Sequence, residues 1–205
     1  MSAGELARLS ARQDVMDHGP SSQSPEFSYQ HFMRPPRQTA AGAADEAWAF
    51  VTTRGLQATT MLGVGGELTS AALDDLGDAM HTVQDFTSPA HTNSNGEPYT
   101  WRGPLGENVR YAGHYFGEEG PQVNWARFGE AIRLTMALVV QYVPNAARER
   151  GLTAENLDEE AAKRIGAYIT SFFATMPGSM FGPSRAMQEG AARQCALGNP
   201  AACDH

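Results

Sequence analysis

The sequence predicts an all-α fold, and three observations carry that reading. No stretch alternates apolar and polar residues with period two over the length of a strand. Apolar residues recur instead at helical spacing, most clearly at Leu73, Leu76, Met80 and Val83. Glycine, proline and Ser/Thr positions punctuate these segments where helices start and stop. With 205 residues, 41% of them hydrophobic, the chain can bury a sizeable core. One domain over residues 1–205 is the expected organisation.

The elements follow in order. Residues 1–13 read as a short helix with Leu6 and Leu9 on one face. Residues 14–38 are rich in Pro, Ser, Gln and His, with Gly19-Pro20 and Pro35-Pro36 as breakers, and read as a long ordered loop. From Thr39 to about Met61 an Ala-rich run carrying Trp48 and Phe50 predicts a helix, broken at Gly63 to Gly66. Thr69 or Ser70 then caps a helix running to Phe86, which Pro89 ends or kinks. Residues 92–108 are turn-forming and precede a helix carrying His114 and Glu118. A helix over 121–146 holds Trp125, Phe128, Ile132, Met136, Val140 and Tyr142 at helical spacing. A last long helix, capped at Thr153, spans 153–175, and the tail is loop with one short helix near Arg185–Arg193.

Composition narrows the function classes. No apolar run approaches the roughly 20 residues a transmembrane helix needs. The start, MSAGELARLSARQ, has no apolar stretch of the secretory type. The net charge of −8 disfavours passive binding of DNA or RNA, whose affinity rests on neutralising phosphates, so no stable nucleic-acid complex is expected. Bound divalent cations would reverse that locally. Cys195 and Cys203 both lie in the tail, as a short-loop disulfide or as free thiols.

Chemistry concentrates in the middle of the chain. His81 and Asp85 stand four residues apart, as do His114 and Glu118, so each pair projects from one face of its helix. His91 lies between the pairs, and three of the six histidines fall within this segment. His81/Asp85 alone reads more readily as a solvated surface contact worth a few tenths of a kcal/mol, whereas His114/Glu118 favours metal binding, with Glu119 next door as the alternative surface partner. The continuity from the apolar stripe around His81 through Pro89 to His91 favours a metal cluster, because imidazole and carboxylate are the donors zinc-type ions take.

The string His81-x3-Asp85-x3-Pro89-x-His91, followed by His114-x3-Glu118, resembles the zinc-dependent phospholipase C family, whose fold is shared with the S1/P1-type nucleases. The nucleases usually close the last pair with Asp, so Glu118 tilts the likeness toward the phospholipases. The wider His91-to-His114 spacing tilts it back. Upstream, Asp17 and the aromatic segment Tyr29-Gln30-His31-Phe32-Met33-Arg34-Pro35 match the family's Asp and following His, with Asp14 the competitor for the first place. The motifs span roughly residues 14–120.

The resemblance implies a helical bundle of the phospholipase C/P1 nuclease type that holds zinc. Asp17, His31, His81 and Asp85 would bind one ion, and His91, His114 and Glu118 a second. Asp17 would double as general base. The family's third site uses an N-terminal Trp and a nearby His, whereas the first Trp here is Trp48 and the first His is His18. Two zinc sites are therefore expected, a third only with ligands from outside this chain. The implied activity is phosphodiester hydrolysis on a phospholipid substrate, with an S1/P1-like single-strand nuclease or a non-enzymatic metal-stabilised binding module as alternatives. By analogy with the enzymatic tips of secreted toxins, the chain would be the C-terminal part of a delivered effector, with a neutralising immunity protein as partner. Phe27, Tyr29, Phe32 and Met33 are candidates for an apolar lip.

Overall fold

A computed structural model describes residues 1–19, 22, 24–101 and 124–175. Within them the chain is helical: α1 (Ala3–His18), α2 (Ala40–Thr60), α3 (Ser70–Thr87), α4 (Trp125–Tyr142), the short α5 (Pro144–Arg148) and α6 (Leu157–Thr175). Two 3₁₀ turns, Pro25–His31 and Val64–Gly66, connect them. Among the described residues there is no strand, only isolated bridges pairing Arg34 with Thr100 and Thr92 with Pro98. The expected helix carrying His114 and Glu118, the tail with Cys195 and Cys203, and the short helix near Arg185 lie outside the described residues.

The centre of the structure is α3, which packs against α1, α2, α4 and the Pro25–His31 turn. Leu73, Leu76, Met80 and Val83 are all buried, as their spacing predicts. They meet Leu9 of α1, Val51 and Ala58 of α2, and Met136, Val139 and Tyr142 of α4. Thr69 supplies the N-cap of α3 through its hydroxyl, which accepts from the Ala72 amide at 3.1 Å. Two glycines set how closely the helices approach. A Cβ on Gly55 would fall 2.3 Å from the ring of Tyr142, and one on Gly77 would stand 3.1 Å from Cγ of Arg12.

Three expectations need correction. The first helix does not end near residue 13 but runs to His18. A capping box between Ser2 and Glu5 starts it, burial of Met16 carries it on, and no breaker precedes Gly19. Its buried face is Leu9 and Met16, while Leu6 is exposed. Residues 14–38 are accordingly not one loop: Asp14 to His18 are helical, and Pro25–His31 forms a 3₁₀ turn begun by proline at its first position. The helix expected over 121–146 is interrupted at Val143, because Pro144 cannot donate an amide bond and instead starts α5.

Candidate metal centre

Three separate elements bring the candidate ligands together. Asp17 projects from the last turn of α1, and His81 and Asp85 from the C-terminal half of α3. His31 ends the 3₁₀ turn, and its placement over α3 follows from local anchors. Phe32 takes a left-handed conformation (φ 49°), which reverses the chain and lets the Met33 amide donate to the Ser28 carbonyl at 2.9 Å. Phe32 and Met33 are then almost fully buried. Thr82, next to His81, donates its hydroxyl to the Gln30 carbonyl at 2.7 Å and ties the turn to α3. Phe32 packs on Phe86 and Trp48, so Phe32 and Met33 anchor His31 rather than form a free lip, while Phe27 and Tyr29 are half-buried.

The donor atoms converge. His31 Nδ1 and His81 Nε2 are 3.1 Å apart. Asp17 Oδ1 lies 3.9 Å from the first and 3.4 Å from the second. Asp85 Oδ2 lies 3.2 and 3.1 Å from the same two nitrogens. Asp17, His31 and His81 form a mutual group with every ligand atom within 4.8 Å of the others. A tetrahedral ion with bonds of about 2.0–2.1 Å separates its ligand atoms by roughly 3.3 Å, and the three separations in this group bracket that value. The donor set fits zinc in size and in chemistry.

Asp85 uses both oxygens. Its Oδ1 faces His91 Nε2 at 3.8 Å. His91 donates its Nδ1–H to the His31 carbonyl at 2.7 Å, which leaves the Nε2 lone pair directed away from that bond. Asp85 therefore stands between the His31/His81 pair and His91, the first member of the expected second cluster. His114 and Glu118, its other members, fall outside the described residues. Asp14 is exposed and contacts His18 at 3.1 Å, so geometry brings Asp17 to the centre and leaves Asp14 outside it.

Electrostatics match a cation-seeking centre. Burial would lower the pKa of His81, but Asp85, Asp17 and Asp78 outweigh it and raise the value to about 9. Burial would likewise push the Asp85 carboxyl up, yet His81 and His91 hold it well below the usual carboxylate range. Burial does raise the Asp17 carboxyl, against the pull of His81. In the metal-free protein a proton on His81 occupies the electrostatic role that a metal ion would take.

Two supports of the centre carry no sequence motif. Trp101 stacks on His31 at 6.2 Å between ring centroids, held there by its amide bond to the Arg34 carbonyl. Arg127 of α4 binds both sides of the loop that carries His91: its guanidinium donates to the Thr87 and Thr92 carbonyls, the Thr92 hydroxyl and the Asn93 carbonyl. Neither has a local motif, since each partner is distant in sequence. A cavity of about 500 Å³ opens beside the centre between α1, α3 and α4, with Asp17, His81 and Asp85 on its wall. Comparisons of the chain with protein-family models, curated proteins and solved structures found no match.

Proposed function

We propose that this chain is a zinc-dependent phosphodiester hydrolase acting on phospholipid head groups, with a bundle of the phospholipase C type. The observation that carries the reading is the meeting of Asp17, His31 and His81, with Asp85 against both imidazoles, at a cavity that Asp17, His81 and Asp85 line. A buried metal-ligand group without an adjacent cavity would read as structural, whereas an open approach is what a catalytic ion needs.

When bound, zinc supplies Lewis acidity toward a phosphoryl oxygen and makes a water nucleophilic at neutral pH. The chain's own residues do the rest. His31 and His81 would hold the ion from two elements, and Asp85, whose Oδ2 stands 3.2 and 3.1 Å from the same two nitrogens, would be a further ligand beside them. Asp17, half-exposed at the cavity wall with its carboxyl raised by burial, is placed to take a proton from the attacking water. His91 and Arg127 keep the loop after α3 in register with the site. Release of diacylglycerol and a phosphorylated head group follows from cleavage on the glycerol side.

The test is a side-by-side assay of the zinc-loaded protein on mixed phospholipid vesicles and on single-stranded DNA and RNA. Phosphorylated head group should appear faster than nucleotide. Rapid nucleic-acid cleavage without head-group release would move the chain to the nuclease alternative and leave the metal centre standing.

A further inference from the structure

The cavity beside the centre has two unlike walls. The α1 and α3 side carries Asp17, His81 and Asp85. The α4 side carries Phe128, Ala131, Ile132 and Met136, a helical stripe of apolar side chains interrupted only by Thr135, across the cavity from the ligands. Arg127 joins the two walls. Its Nη atoms hold carbonyls of the loop after α3, while its Nε–H has no acceptor among the described residues. No carboxylate pairs with it there either. A volume of about 500 Å³ falls within the range of pockets that enclose small ligands.

We infer that this cavity is a hydrocarbon-tail subsite for a phosphoester amphiphile. The phosphate lies at the ligand end, within the field of Arg127. One alkyl or acyl chain runs along Phe128, Ala131, Ile132 and Met136. The inference rests on the proposed hydrolase reading and deepens it, because it assigns the selection of substrate to the tail rather than to the head group. A nucleotide can set only its base against such a wall and has no chain to lengthen along it. A tail gains from every methylene it buries.

The test is calorimetric binding of hexyl-, octyl- and decylphosphocholine, each below its micelle concentration, to the zinc-loaded protein. Affinity should rise roughly 4-fold per methylene, the equivalent of about 0.8 kcal/mol per buried CH₂, until the cavity is full. Ala131→Met adds bulk at a position that already faces the cavity. It should make octyl and decyl bind alike while the melting temperature stays at the wild-type value. Arg127→Gln should weaken all three by a common factor and leave the increment per methylene intact.

Equal wild-type affinities across the series would overturn the inference, as would an unchanged series in a folded Ala131→Met protein. The wild-type series decides by itself if that variant does not fold. Chain-length-dependent binding without hydrolysis of any phosphodiester establishes the tail subsite and removes the proposed activity. Hydrolysis of bis(p-nitrophenyl) phosphate with flat binding does the reverse.

Discussion

Arg12 of α1 and Asp78 of α3 face each other in a two-pronged ion pair, Nε to Oδ1 at 2.5 Å and Nη2 to Oδ2 at 2.9 Å. Asp78 is almost fully buried, and Arg54 of α2 approaches its second oxygen at 3.3 Å. One carboxylate thus ties three helices together, less than a turn before His81 on α3. The same clamp fixes α1, whose last turn carries Asp17.

Asp78→Asn should therefore lower stability by about 1.5–3 kcal/mol, the usual worth of hydrogen bonds to charged groups. It should also weaken zinc binding, because α1 loses its register on α3. Urea unfolding and zinc titration of the variant check both parts. A destabilised variant with unchanged zinc affinity would separate the clamp from the metal centre.

Asp17→Asn should reduce the phosphodiesterase rate about 10²–10⁴-fold, the range for loss of a general base, while most of the metal stays bound. Asp14→Asn should remain within about 2-fold of wild type, since its carboxylate is exposed and, among the described residues, pairs with His18 alone. Rate measurements with parallel metal analysis decide. A dead Asp14→Asn beside an active Asp17→Asn would reverse the assignment.

The metal-free protein should lose stability as pH rises from about 6.5 to about 9. His81 is raised from its ordinary 6.5 to about 9 in the fold. Its protonated form therefore contributes stability that is full below 6.5 and gone once pH passes the folded value. The contribution is of order 3 kcal/mol, from about 1.36 kcal/mol per pKa unit. Zinc competes with that proton, so its affinity should climb over the same window. Melting curves of chelator-treated protein at pH 6, 7, 8 and 9 test the first half. A flat profile, or one rising with pH, would contradict it.

The helices are legible in sequence wherever a local signal carries them. The stripe Leu73, Leu76, Met80 and Val83 and the cap at Thr69 define α3 by residue type and spacing alone. The end of α1 is not legible, because Asp14, Val15, Asp17 and His18 look like loop residues and only Met16 is buried there. Asp17 can be chosen over Asp14 only by likeness to a motif, since which of them reaches His81 depends on how α1 lies against α3. Arg127 gives no signal at all, and Trp101 stands out only as an aromatic in the loop after His91 whose structural role has no motif. Each acts through backbone carbonyls or ring stacking across distant segments, and such contacts impose no spacing on the sequence.

The central claim is the metal centre, and zinc titration of chelator-treated protein, read by elemental analysis and thermal melting, tests it most directly. One equivalent should occupy the group of Asp17, His31 and His81, and a second the cluster expected from His91, His114 and Glu118. Each occupied site, at free zinc about 100 times its Kd, should stabilise the fold by ~2.7 kcal/mol, or roughly 5–10 °C in Tm for a domain of this size. His81→Ala should abolish the first equivalent and its share of the shift. A wild-type protein that takes up no zinc and melts at the same temperature with and without it would contradict the account.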